Sequence, residues 1–480
     1  MNCRMVFYVV GRMMSVGAAT LAAPLAVSLI YHENTAWAFI LTILIFLAVG
    51  ALGIIAKPKN RRIYTKEGMV IVALTWILFS FLGGLPFKFS NQIPSLVDCF
   101  FETVSGFTTT GSTILRNVEA MSCSMLFWRS FTHWLGGMGV LAFVNAIVSQ
   151  KDTSMSYIMR AEMPGLQIGK FAEKWQFSLR ILYIMYLGLT VVEFVLLLFG
   201  GMGVFDSMVH TFGTAGTGGF GIKNASVGYY NSAYVDWVIG IFMILFGVNF
   251  NIYFLILMRR FKGVLENDEF KLYVGVVAAA TFIITLNILP VYGGFLHSLR
   301  YAFFQVSSVI TTTGYATADF TKWPVLSQFV LVILMLTGCC AGSTGGGLKL
   351  VRVSILAKGA LNEIKHSVFP RSISTMKNDG KPLVNGIILG VFSYFAVYML
   401  IMVASILIVC IDNFDMTTSV TAVITTLNNI GPGLGKVGPT GNFADFSDLS
   451  KLVMAFDMLA GRLEIYPLLA LFMPKVWKKA

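Results

Sequence analysis

Threonine and glycine, neither of them charged, carry the strongest chemical signal in this chain. The run Thr-Thr-Thr-Gly occurs twice, at Thr108 to Gly111 and at Thr311 to Gly314. The match extends upstream, where Phe100, Phe101 and Ser105 stand at the same offset as Phe303, Phe304 and Ser308. Two weaker copies share the frame and end at Gly219 and Gly431. Stripping water from an alkali cation takes several oxygen ligands, and backbone carbonyls on extended loops supply them in rings. Glycine permits the dihedrals that turn successive carbonyls to one side. Threonine adds a hydroxyl without a charge. The candidate ligand positions are Thr110-Gly111, Gly218-Gly219, Thr313-Gly314 and Ile430-Gly431. No carboxylate sits in any of these motifs. That favours a carbonyl-lined site for a monovalent cation over a carboxylate ring for a divalent one.

The elements that position these motifs are apolar. Of the 480 residues 56% are hydrophobic and 12% charged, and the mean hydropathy is +0.76. Such a chain belongs in a lipid bilayer, and its apolar runs have the roughly 20-residue length a spanning helix needs. The expected spans are 5–30 and 36–56, then four pairs: 68–87 with 124–150, 177–200 with 233–259, 272–290 with 326–357, and 385–411 with 449–473. Inside each pair lies a shorter segment, at 95–109, 204–217, 298–312 and 416–429. These are too short to span and lead into the glycine motifs, as half-helices that dip in and return as loops would. The fold class expected is therefore an all-α integral membrane protein. It comprises four pseudo-repeats of helix, pore loop and helix around one central pore, plus two extra N-terminal transmembrane helices. The units expected are 1–60 (the extension), 61–150, 151–262, 263–360 and 361–480 (pore repeats one to four).

The net charge is +12, which in a multi-span protein reflects basic cytoplasmic loops and not nucleic-acid binding. Placing Lys57 to Arg62 inside puts both termini inside, together with 151–176, 259–271 and 349–382, and leaves all four motif loops outside. The longest hydrophilic stretch, 356–382, is read as a charge anchor or as a docking surface for a cytosolic subunit. The N-terminal apolar segment lacks a convincing cleavage site and is read as a retained helix. The five His are scattered singly, and the six Cys show no framework. Neither a metal cluster nor a nucleophile constellation emerges, so an enzyme is not expected.

Two features bear on opening and closing. Between Gly338 and Gly347 five glycines fall in ten residues, at Gly338, Gly342, Gly345, Gly346 and Gly347, with Ser343 and Thr344 among them. At about 1 kcal/mol each they would destabilise a helix heavily. Non-helical backbone at membrane depth survives only beside protein or a water-filled cavity. The reading is a flexible loop obstructing the pore. A phosphate-binding loop needs Gly-Lys-Ser/Thr, and here Leu348-Lys349 follows without a hydroxyl. Arg462, inside the last span, is the second feature, because a buried cation needs a reason. It is read as an electrostatic barrier below the ring or as one half of an ion pair with another helix or subunit. Lys349 is a weaker candidate of the same kind. Asp98 and Asp206 open the first two pore segments and read as helix caps, or as carboxylates that concentrate cations at the outer mouth. Glu193 has no assigned role.

The chain resembles the TrkH/KtrB family of bacterial potassium transporters, and within it the TrkH type. The runs that carry the resemblance are Gly106 to Ser112, Thr217 to Gly221, Thr311 to Tyr315 and Asn428 to Gly433. The resemblance implies a single-chain descendant of a tetrameric potassium channel, located in the bacterial inner membrane. It implies one pore per chain, potassium at the filter residues, homodimer assembly and an intramembrane gating loop at 338–347. It also implies a cytosolic regulatory ring of the TrkA type that binds nucleotide. This chain itself has no domain for a nucleotide. All four copies depart from the channel run Thr-Val-Gly-Tyr-Gly, which bears on potassium over sodium selectivity. Uptake driven by membrane potential is the leading reading, and an obligately coupled potassium/proton or potassium/sodium symporter is the alternative. A transporter of organic substrates would fit the broken helix, but it has no use for a fourfold repeat.

Overall fold

In a bilayer a backbone finds no water to bond with, so apolar segments must satisfy their own N–H and C=O groups as helices. The computed structural model describes residues 1–55, 57–58, 63–137, 139, 175–371, 375–383 and 385–478. Among the described residues six helices are long and apolar enough to cross a membrane: Cys3–Ile30, Ala36–Ile55, Lys66–Phe89, Ile181–Phe199, Asp268–Tyr292 and Asn385–Asp412. They correspond to the two N-terminal helices and the first member of each expected pair. The basic loop 151–176, up to residue 174, and part of the Lys57 to Arg62 segment lie outside the described residues. Among the described residues the only strands form a small hairpin, Lys377–Asn378 with Lys381–Pro382.

The second member of the second, third and fourth pairs is broken, whereas the sequence announced a break only in the third. In the first repeat the helix Cys123–Gly137 ends at Gly137, and Gly139 takes a φ of 76°. In the second, Ala233–Gly247 turns by 90° into Phe250–Leu257. There Asn249 caps the new helix by accepting the Asn251 N–H at 2.9 Å. In the third, Val325–Thr337 and Leu350–Val368 are separated by the glycine run. In the fourth, Asp448–Arg462 gives way to Tyr466–Phe472 through Glu464 and Ile465, with φ of 58° and 65°. The expected continuous helices at 233–259 and 449–473 are corrected accordingly. The one at 124–150 is helical to Gly137, and 140–150 lie outside the described residues.

The four short segments are helices as expected: Leu96–Phe107, Val204–Ala215, Phe295–Ile310 and Met416–Leu427. The 12-residue ones reach about 18 Å at 1.5 Å per residue, well short of a bilayer core. They are termed pore helices one to four below. An edge-to-face aromatic row, Phe46, Phe79, Phe107 and Trp128, with centroids 5.6 to 5.9 Å apart, packs the N-terminal pair against the first pore helix. The N-terminal pair is close because Gly11 meets Gly50 and Gly53, where a Cβ on Gly53 would come 2.6 Å from the Phe7 carbonyl. Outward-facing Leu44, Leu52, Phe282 and Leu400 are exposed, as suits a surface bathed in lipid.

Candidate functional site

Each pore helix ends in the same way. The N–H groups of Thr109, Thr217, Thr312 and Asn429 bond to carbonyls three residues back, at 3.1, 2.9, 3.1 and 3.3 Å. The N–H groups of Thr110, Gly218, Thr313 and Ile430 bond five residues back, at 2.9, 2.8, 2.9 and 2.9 Å. This is the paired closure of a Schellman cap. It forces the first residue of each pair into the left-handed region, with φ of 54°, 55°, 59° and 56°. β-Branched threonine is rare there, and strain held at corresponding places marks a functional region. Two residues on, Gly111, Gly219, Gly314 and Gly431 take φ of 82°, 76°, 83° and 98°.

The four turns close into a ring. A Cβ at Gly111 would overlap the Gly218 carbonyl oxygen, one at Gly219 that of Thr313, and one at Gly314 that of Ile430. At Gly431 it would come 2.9 Å from the Thr110 oxygen. The carbonyls of Thr110, Gly218, Thr313 and Ile430 thus each pack against a glycine of the adjoining repeat, and the circuit closes. Backbone meets backbone here with no room for a side chain. The four glycines also line a single cavity of about 110 Å³. The partly negative C-terminal ends of the pore helices are directed into these turns.

Side chains behind the ring hold it. Glu102, on the first pore helix, and Arg129, on the helix after it, form a fully buried ion pair at 2.7 Å. Glu102 also accepts from the Thr113 hydroxyl at 2.9 Å and the Ile114 N–H at 3.0 Å. Arg129 donates to the Gly221 carbonyl at 3.3 Å and lies 3.9 Å from the Phe220 ring centroid. One pair thereby ties the first loop to the second. The Tyr315 hydroxyl donates to His210 O at 3.1 Å and Phe220 O at 3.3 Å, tying the third loop to the second. The Asn429 amide donates to Thr110 Oγ1 and to Met458 O, both at 2.9 Å, tying the fourth to the first. None of these buttresses was identified from the sequence. Arg129 and Glu102 were the ones with a signal, being charges on apolar segments. Asp98 and Asp206 are not the caps expected: Ser95 caps the first pore helix, Asp98 accepts from Lys451 at 2.7 Å, and Asp206 accepts from Tyr230 at 2.7 Å.

The glycine run lies against the ends of the third and fourth pore helices. Gly346 N–H donates to Thr312 Oγ1 at 2.7 Å. A Cβ on Gly345 would come 2.8 Å from Thr311 O, and one on Gly346 would come 2.5 Å from Asn428 O. Gly338, Gly342 and Gly347 take φ of 67°, 74° and 77°, which a helix cannot. The rest of the loop is held by its neighbours. Cys340 N–H donates to Gly247 O at 3.2 Å, Phe250 N–H to Gly342 O at 3.1 Å, and Ala341 N–H to Glu269 at 2.7 Å. Ser343 donates to Cys340 O at 2.6 Å, and Thr344 Oγ1 to Phe246 O at 3.2 Å. The mostly buried Lys349 folds back onto Gly345 O.

Arg462 meets this loop. Its guanidinium donates to Thr344 O at 2.7 Å, to Gly137 O at 3.1 Å and to Gly136 O. It therefore bridges the glycine loop of the third repeat to the end of the helix Cys123–Gly137 of the first. Of the carboxylates near it in sequence, Glu464 pairs instead with Arg352, and Asp457 accepts from Ser405 at 2.8 Å.

The family model for TrkH, described as a cation transport protein, matches residues 36–292 and 294–479. The Trk system potassium uptake protein TrkH of Salmonella typhimurium is 36% identical, with 100% of each chain covered. The Trk system potassium uptake protein TrkG of Escherichia coli is 30% identical over 99% of each. The crystal structure of the potassium transporter TrkH from Vibrio parahaemolyticus superposes with a TM-score of 0.88 at 31% identity, covering 100% of each chain. A closed fourfold ring of glycine turns, in a chain that the family model and full-length relatives match from end to end, belongs to a member of the TrkH family of cation transport proteins.

Proposed function

We propose that this multi-span membrane protein carries potassium into the cell through the ring of glycine turns. The observation that carries the reading is the ring itself: four caps with one geometry, whose carbonyls meet round a closed circuit with no side chain between them. Potassium here is the substrate. The donors that suit it are the backbone oxygens of Thr110, Gly111, Gly218, Gly219, Thr313, Gly314, Ile430 and Gly431. Uncharged oxygens replace the hydration shell of a monovalent ion without holding it so tightly that it cannot leave. An inside-negative potential favours entry by about 2.3 kcal/mol per charge per 100 mV. Relatives bear names of the Trk potassium uptake system, which supports the same substrate.

In this reading the loop from Gly338 to Gly347 is the gate, with Arg462 and Lys349 fastening it. The helix Leu350–Val368 follows the loop directly, so a partner that moved the helix would move the gate. A cytosolic nucleotide-binding ring of the TrkA type, acting on a homodimer in the bacterial inner membrane with both termini inside, fits that arrangement. The test is uptake of labelled rubidium by liposomes carrying the purified chain and loaded with potassium, with external sodium as competitor. Passive uptake that sodium barely inhibits is expected. Equal inhibition by sodium and potassium would refute a potassium-preferring ring.

One observation favours the coupled alternative. Glu193 is fully buried in a spanning helix, away from any basic side chain and with Thr214 as its hydrogen-bonding neighbour. If a proton must move with potassium, uptake will require a proton gradient, and Glu193→Gln will abolish that requirement.

A further inference from the structure

The ring is not equivalent in its four quarters. Thr110, Thr313 and Ile430 carry side chains at the position where the second quarter has Gly218. The backbone does not demand glycine there, since Gly218 is not among the residues with positive φ. Space demands it. A Cβ on Gly218 would overlap Cγ and Nδ1 of His133 and come 2.5 Å from its Cδ2. His133 belongs to the first repeat, on the helix Cys123–Gly137, and is fully buried. Its Nδ1 is 2.7 Å from Gly106 O, in the last turn of the first pore helix. Its ring lies 4.2 Å from that of Phe220, just beyond the second glycine turn. The hydroxyls of Thr110 and Thr313 are pinned at 2.8 Å to those of Thr108 and Thr311. Gly218 has no side chain to pin.

We propose that His133 is a specificity-determining positioning residue, whose imidazole fills from the first repeat the place that a threonine or isoleucine side chain occupies in the other three quarters. This rests on the ring being the potassium site. A ring that selects by size prefers the larger ion while its walls resist closing on a smaller one. In the second quarter the wall beside the Gly218 carbonyl is His133, clamped between Gly106 O and Phe220.

The experiment is a swap, read as sodium inhibition of rubidium uptake in liposomes at matched amounts of monodisperse protein. His133→Ala is expected to make sodium about tenfold more effective as a competitor. Gly218→Thr alone is expected to lose uptake, because the side chain meets the imidazole. The double variant His133→Ala/Gly218→Thr is expected to regain potassium preference, which a general packing defect would not do. Unchanged preference in folded His133→Ala overturns the inference, and so does a double variant no better than His133→Ala. If His133→Ala does not fold, the double variant decides: a folded, potassium-preferring double supports the inference and an unfolded one overturns it. Gly111→Ala is the control on the ring reading. If it leaves sodium competition unchanged, the ring is not the selective site. If it alters competition while His133→Ala does not, the role of His133 alone fails.

Discussion

If the glycine loop is the gate proposed above, Arg462→Ala should raise flux by a calculable amount. The guanidinium holds the glycine loop through a charge-assisted bond to Thr344 O at 2.7 Å, and anchors itself on Gly136 and Gly137 of the first repeat. A hydrogen bond to a charged group contributes about 1.5–3 kcal/mol net. Removing it shifts a closed-to-open equilibrium by about ten- to a hundredfold. The loop is not freed outright, because Gly346 still bonds Thr312 and Ala341 still bonds Glu269. Rubidium flux into liposomes should therefore rise by up to that factor and saturate once the loop is mostly open. Arg462→Lys separates two causes. Lysine keeps the positive charge but cannot span loop and first repeat together. Flux as high as in the alanine variant assigns the effect to the tether, and flux near the parent assigns it to charge. A folded Arg462→Ala protein with parental flux and parental sodium competition would refute the argument.

Three further outcomes are expected. Gly111→Ala places a methyl group on the Gly218 carbonyl at a φ of 82°, and should abolish preference for rubidium over sodium in the same uptake assay. Glu102→Leu leaves Arg129 buried without its partner and should cost about 3–5 kcal/mol, seen as a lower thermal midpoint; a double change with Arg129→Met should recover part of it. Asp415 caps the fourth pore helix, and the hydroxyl and N–H of Thr418 hold its carboxyl below the usual range. Its contribution is therefore present at neutral pH and lost as pH falls through the lowered value. Asp415→Ala should cost about 1 kcal/mol at neutral pH, and the gap in thermal midpoint should narrow on acidification below about pH 4.

The fourfold frame was legible because the ring requires residues that are conspicuous in an apolar chain. Glycine at positive φ has few substitutes, so Gly111, Gly219, Gly314 and Gly431 stand in register even where Ile430 or Gly218 replaces threonine. The breaks in the second, third and fourth repeats were unequally visible. The third needs a loop long enough to lie against two pore-helix ends, and it announces itself with five glycines. The second needs a single turn, supplied by Gly247 and the capping Asn249, and the fourth is made by Glu464 and Ile465, whose types do not foretell a left-handed backbone. Apolar composition runs on through both. The partners of charged groups were hidden for a different reason. Arg352 and Glu464, or Asp98 and Lys451, are far apart in sequence, and only the closed ring brings their helices together.

A ring drawn from one chain also differs from one assembled out of four identical subunits in what heredity can do with it. In a homotetramer any substitution appears in all quadrants at once, so a residue must be acceptable everywhere or nowhere. Here each quadrant can drift alone. Among the described residues the long glycine loop follows one helix, the Glu102–Arg129 pair braces one seam, and asparagine replaces threonine at one cap. Four quadrants that share a backbone have become four separately inherited parts, and replacing residues one quadrant at a time will produce a graded series of pores that no symmetric channel can offer.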